Sequence, residues 1–389
     1  MGRLFRTGFV LGSLLLNLQF VSAQTWTPTS APTNNWTCIA ASADANRLAA
    51  SGFRLTVPIY ISANNGETWI VSGAPSNTWA SIASSADGNK LVAAQYAGGW
   101  IYTSTDGGLT WTSNNVPQAG WTAVASSADG NKLVAANNSP ETIFTSTNGG
   151  VLWTPATNGP AVIWRSVASS ADGIRLAAVN GNPGTIYIST DGGANWTRAT
   201  NAPNANWIDI ASSADGKKLL AVANGGNVYS STDWGNTWTT NNLPLNSSWY
   251  ACASSANGTK LVVVSQKAGI YSSTDSGAHW TSNNAPFLIW QAVAMSADGN
   301  RMFATAWGGG IWTAQTTPAP QMNLTLANGN LAFSWIIPST NFVLQQNLNL
   351  TTSNWVNVTN TPVPNLTNLQ DEVRLPITNA SAFYRLATQ

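Results

Sequence analysis

Apolar and polar residues alternate in short runs along this chain, each closed by Gly, Asn, Asp or Ser, with little interruption from Trp26 to Trp312. A period of two with such punctuation predicts short, half-buried strands joined by tight turns. The runs themselves repeat. A segment of the type W-T-A-V-A-S-S-A-D-G-N-K-L-V-A-A, as written from Trp121, starts at Trp36, Trp79, Trp121, Trp164, Trp207, Trp249 and Trp290. A second segment, S-x-[DN]-x-G-x-x-W, starts at Ser62, Ser104, Ser146, Ser189, Ser231 and Ser273, and its closing Trp recurs every 42 or 43 residues. Each unit reads as four strands, A to D. The S-A-D-G turn joins A to B, with Asp bonding backbone donors and Gly accepting positive φ. Four strands in about 42 residues is the size of a propeller blade.

The ends of the array predict a closed ring. Repeat seven runs through Ile311-Trp312-Thr313 and has no closing box, whereas Thr25-Trp26-Thr27-Pro28 matches a strand D that belongs to no preceding blade. The reading is all-β: a seven-bladed propeller over 24–314, closed by an N-terminal strand that leaves no free sheet edge. A Pro-containing linker (315–320) leads to 321–389. There, short runs at Leu331–Trp335, Phe342–Gln345, Trp355–Val358, Val373–Leu375 and Phe383–Leu386 predict a small sandwich-like β-domain.

Composition refines this picture. Only 8% of residues are charged, but 20 Trp and 43% apolar residues exclude disorder. Arg3 and Arg6, an apolar stretch from Phe9 to Phe20 and Val21-Ser22-Ala23 read as a secretory signal over 1–23, so a secreted, periplasmic or cell-envelope location is expected. Without those two arginines, 14 basic residues face 15 acidic ones, which gives nucleic acid nothing to bind, and no later segment is long and apolar enough to span a membrane. Cys38 and Cys252 fall in equivalent strands of repeats 1 and 6, a whole blade apart in a ring. Two separate buried thiols are therefore expected in preference to a disulfide.

The S-x-D-x-G-x-x-W element resembles the Asp-box, or BNR repeat, of the sialidase superfamily, which includes sialidases, some xyloglucan hydrolases and photosystem II assembly/stability factors. The resemblance covers about residues 25–314, and the short, even, charge-poor blades are most similar to the assembly-factor arrays. It implies a propeller and is nearly silent on activity. A sialidase, by resemblance, needs an arginine triad and a Tyr/Glu pair. Arg47, Arg175 and Arg301 fall beside the A–B turns, on the wrong face for a site, and the Arg-Ile-Pro signature is absent, Phe53-Arg54-Leu55 being a poor substitute.

Repeat position removes most acids from catalysis. Asp44, Asp87, Asp129, Asp172, Asp215 and Asp298 belong to A–B turns, and Asp106, Asp191, Asp233 and Asp275 to boxes. Calcium at the boxes is not expected, because Asn64 and Asn148 replace Asp in two of them and the dense acidic spacing of a calcium loop is missing. Glu141 and Asp209 remain as the one candidate carboxylate pair for a glycosidase. The sole histidine, His279, lies inside a box, which excludes His-based triads and zinc sites, and no metal or cofactor is called for. A one-site ligand on seven similar blades needs residues that break the repeat. Arg54, Trp100, Glu141, Arg165, Asp209, Tyr250, Gln291 and Trp307 do so, and the strand reading puts them on the face of the D–A and B–C loops. The leading expectation is an exported non-catalytic scaffold that binds a protein or glycan there. The alternatives are a glycan-active hydrolase or lyase using Glu141 and Asp209, and a structural envelope or matrix protein.

Overall fold

The computed structural model describes residues 26–52, 57–96, 98–138, 142–181, 183–244, 247–315, 322–327, 330–336, 342–347, 356–365, 370–376 and 383–388. The expected signal, residues 316–320 of the linker, and Arg54 and Glu141 lie outside them.

Among the described residues, seven four-stranded antiparallel sheets follow one another between Trp26 and Gln315. Blade 3 is representative: A is Trp121–Ser126, B Leu133–Asn137, C Ile143–Ser146 and D Thr154–Pro155. Each innermost strand A packs on the next blade's, and that of blade 7 packs back on blade 1. Strand D begins one residue after the box Trp and not on it. The Trp turns in under the blade instead, and in every box but that of Trp153 it donates its Nε1 to the box Gly carbonyl, as Trp111 does to Gly108 O at 3.0 Å.

The seven strand-A tryptophans are fully buried and form the core between blades. Trp121, for instance, packs edge-on against Phe144 of its own blade at 5.6 Å and joins a cluster with Val92, Ala94 and Ile101 of blade 2. The A–B register slips by one residue just after each of these tryptophans. Such a bulge re-aims the side chains that follow it.

Ring closure occurs as the sequence requires. Trp26–Pro28 pairs with Ile311–Gln315 (Trp26 opposite Ala314, Pro28 opposite Trp312), and buried Trp26 sits 6.1 Å from Trp290. A second closure is made by backbone alone. In every A–B turn one alanine donates its N–H to the alanine carbonyl of the next turn: Ala43 to Ala86, then Ala128, Ala171, Ala214, Ala256 and Ala297, and Ala297 back to Ala43, all at 2.7–2.8 Å. Seven turns thus form one cyclic chain of hydrogen bonds around the channel.

Cys38 and Cys252 are buried and unbonded to each other, in the inner strands of blades 1 and 6. In the C-terminal region, one sheet orders Asn323–Ala327, Asn330–Ile336, Gln370–Pro376 and Val363–Asn365. Another orders Val356–Asn357, Phe342–Asn347 and Phe383–Thr388. Phe333, Trp335, Val373 and Leu375 of the first share a core with Leu344 of the second, which makes a sandwich. The sequence reading missed Asn323–Ala327 although Met322, Leu324 and Leu326 alternate with polar residues, and it missed Val363–Asn365 because three residues with a central Pro show no alternation.

Candidate functional site

The two faces of the ring differ in chemistry. A–B and C–D turns share one face and are bonded together, as in Gly107 N–H to Asn89 O and Trp234 N–H to Lys217 O. On this face the boxes are self-contained turns. Ser104 Oγ donates to Asp106 Oδ1 (2.8 Å) and accepts from Gly108 N (2.9 Å), while the Asp106 carboxylate accepts from Thr110 N (2.9 Å) and Thr110 Oγ1 (2.6 Å). The Thr110 hydroxyl and amide hold the Asp106 carboxyl down at about 2. Asn64 and Asn148 accept the same backbone bonds, from Thr68 N and Leu152 N at 2.9 Å each. A neutral amide does the same work, so the box is a turn device and not a charge site. The nearby cations serve neighbouring turns. Lys90 Nζ donates to Asp129 O at 2.9 Å and Lys132 Nζ to Asp172 O at 2.8 Å, while Arg301 bonds Asn46 and Asn65.

On the opposite face the central channel opens into a cavity of about 660 Å³. Strand A runs from this mouth towards the A–B turn, so the first residue after its Trp stands at the rim and the second lies deeper. Arg165, Tyr250 and Gln291 occupy the first position in blades 4, 6 and 7, and Asp209 the second in blade 5. Trp307 reaches the same cavity from the B–C turn of blade 7. The structure therefore brings together five of the eight residues singled out from sequence. They are not equally available: Gln291 is only 5% exposed and forms wall, whereas the Arg165 guanidinium is exposed and makes no hydrogen bond or ion pair with the described residues. Trp100, 36% exposed, immediately precedes strand C of blade 2 (Ile101–Ser104) on the same face but is not part of the cavity lining, because strand C lies two strands out from the channel. Arg54 and Glu141 fall outside the described residues, so the carboxylate pair has one placed member, Asp209. Nor do arginines cluster here: among the described residues Arg165 alone lines the cavity, and Arg198 bonds Asn204 on an outer strand.

Asp209 has an unusual position. Its Oδ1 accepts from Ser166 Oγ of blade 4 at 2.6 Å and its Oδ2 from the Cys252 amide of blade 6 at 2.9 Å, so one side chain bridges three blades. Burial pushes its carboxyl above the usual range, against the pull of these hydrogen bonds. The same carboxylate, after burial itself, pushes the Cys252 thiol well up, and burial raises Cys38 to about 12, so neither is a nucleophile.

Tyr96, Asn138 and Gln266 also line the cavity, from the slot directly after strand B that Trp307 occupies in blade 7. Sequence reasoning passed over them. The signal was present, since this slot changes identity from blade to blade next to a nearly constant strand B.

Comparisons with known proteins agree with this architecture. A family model described as "Sortilin, neurotensin receptor 3" matches residues 184–306, and no curated protein matches the chain. Among solved structures, YCF48 from Cyanidioschyzon merolae superposes with a TM-score of 0.59 at 14% identity, covering 76% of this chain and 99% of that one. YCF48 bound to a D1 peptide gives 0.58 at 15% identity, covering 76% and 98%. The GH74 xyloglucanase from Xanthomonas campestris gives 0.59 at 14% identity over 80% of this chain and 59% of the enzyme. At these identities the likeness is one of fold. Repeat, box geometry and fold neighbours together show a β-propeller fold whose outer turns are of the Asp-box type.

Proposed function

We propose that the protein is an exported, non-catalytic scaffold that binds a protein partner at the channel mouth of its loop-rich face. The observation that carries this reading is the mouth itself. Arg165, Tyr250, Trp307, Tyr96 and Gln266 break the repeat on one side of a ring whose other side is occupied with its own turns. Side chains that vary over a constant scaffold supply the asymmetry that one-site recognition needs, and aromatic and Arg residues are the usual anchors of such sites. One fold neighbour carries a peptide, which is a precedent for a protein partner on this fold. A hydrolytic reading is less well supported, because a glycosidase needs two carboxylates and among the described residues Asp209 is the one acid lining the cavity.

Peptide and glycan arrays probed with wild type, Trp307→Ala and Lys132→Ala test the proposal. Binding is expected to peptides, to be weakened by about 1–3 kcal/mol in Trp307→Ala, and to be unchanged in Lys132→Ala. A ligand lost through Lys132→Ala and indifferent to Trp307→Ala would place recognition on the box face.

A further inference from the structure

The position two residues after the strand-A Trp is small and uncharged in six blades: Cys38, Ser81, Ala123, Ser166, Ala251 and Ala292. In blade 5 it is Asp209, half-buried in the channel wall. The scaffold needs no acid there. Ser81, in the same slot of blade 2, accepts the Val124 amide of the next blade at 3.2 Å, the bond Asp209 makes to Cys252, with a neutral hydroxyl. Among the described residues no Lys or Arg pairs with Asp209. A desolvated carboxylate without a counter-ion is a cost to the fold, and such a group lining a cavity is a candidate for function. Its surroundings narrow the ligand. Around it the channel wall carries Ile39, Ile82, Ala123, Ala251 and Val293 together with the hydroxyls of Ser81 and Ser166, and it opens to Tyr96, Tyr250, Trp307 and the Arg165 guanidinium at the mouth, with Asp209 the one acid of the lining. The complement is a single cation on a slim apolar stem, which describes a lysine side chain: four methylenes that pack along apolar surface and an ammonium that donates three hydrogen bonds.

We propose that Asp209 is the receptor for a lysine side chain of the protein partner, inserted down the channel from the loop-rich face. This rests on the proposed binding role of the mouth and adds the identity of the inserted residue.

The test uses the full chain and ligand-observed NMR with the blocked tripeptide Ac-Gly-Lys-Gly-NH2 and its acetyl-lysine, norleucine and arginine counterparts, together with a glucosamine trimer. The lysine peptide is expected to bind at least tenfold more tightly than the acetyl-lysine and norleucine peptides, and Asp209→Asn is expected to erase that difference. Because the peptide series varies only the ligand, the comparison stands even if Asp209→Asn folds poorly. Equal affinity for lysine and norleucine, or a lysine preference that survives Asp209→Asn, overturns the proposal. So does Asp209-dependent binding of the glucosamine trimer without binding of the lysine peptide, which would assign the amine to a glycan. Array ligands that depend on Trp307 but not on lysine would remove this inference and leave the mouth as the binding site.

Discussion

Replacing Trp26 by alanine asks whether the first strand holds the ring shut. Trp26 is 5% exposed, 6.1 Å from Trp290, and its Nε1 makes no hydrogen bond among the described residues, so the substitution removes packing and no polar bond. Truncating a buried Trp costs about 3–5 kcal/mol, transfer and cavity terms together. That is a large part of the roughly 5–15 kcal/mol that holds a typical domain folded. Thr27, its exposed neighbour on the same strand, is the control, with an expected change within about 0.5 kcal/mol for Thr27→Ala. Urea titrations followed by far-ultraviolet circular dichroism would compare the two variants with wild type. Loss of the seam also uncovers the edge of Ile311–Gln315, so Trp26→Ala is expected to aggregate more readily near its midpoint. Equal midpoints for Trp26→Ala and Thr27→Ala would refute the seam, because a strand that closes the ring cannot lose its one buried side chain without consequence.

Asp191→Ala removes the acceptor of Asn195 N at 3.0 Å and of Ser189 Oγ at 2.8 Å in an exposed turn, and is expected to cost about 1 kcal/mol in the same titration while leaving ligand binding intact. Asp106, held at about 2 from an ordinary 3.8, contributes stability that is fully present above 3.8 and is lost as pH falls towards 2. Acid titration of Asp106→Asn should therefore show a shallower loss across that window than wild type. Asp209 has the opposite sign: its raised carboxyl favours the fold when protonated and loses that advantage as pH rises through its titration. Asp209→Asn is accordingly expected to be no less stable than wild type at pH 7 by urea titration. Trp100→Ala, outside the cavity lining, should weaken partner binding less than Trp307→Ala when both are titrated against the same array peptide.

The propeller was legible because its instructions are local and repeated. Alternation fixes the strands, S-A-D-G and the box fix the turns, and the orphan Trp26 strand fixes the closure. The channel mouth was half legible. Arg165, Tyr250, Gln291 and Trp307 announce themselves by departing from a repeat, but which departures meet depends on strand direction and on the bulge after each strand-A Trp, which no residue type marks. Trp100 breaks the repeat as plainly as Trp307 does, yet sits two strands out from the channel. Tyr96, Asn138 and Gln266 show the converse, since polar and aromatic residues after a strand read as ordinary loop until the ring gathers them. The cyclic alanine bonds were invisible, because they are made by backbone groups and any small residue would permit them.

That cycle has a consequence for the genetics of the fold. The bond that joins the last turn to the first, Ala297 to Ala43, is 2.8 Å against 2.7–2.8 Å for the six others, so blades 7 and 1 are bridged by the same contact as every internal junction. Where the polypeptide starts is thus incidental to the ring, and a circular permutant opened in another D–A loop, with the present seam joined covalently, should assemble the same propeller.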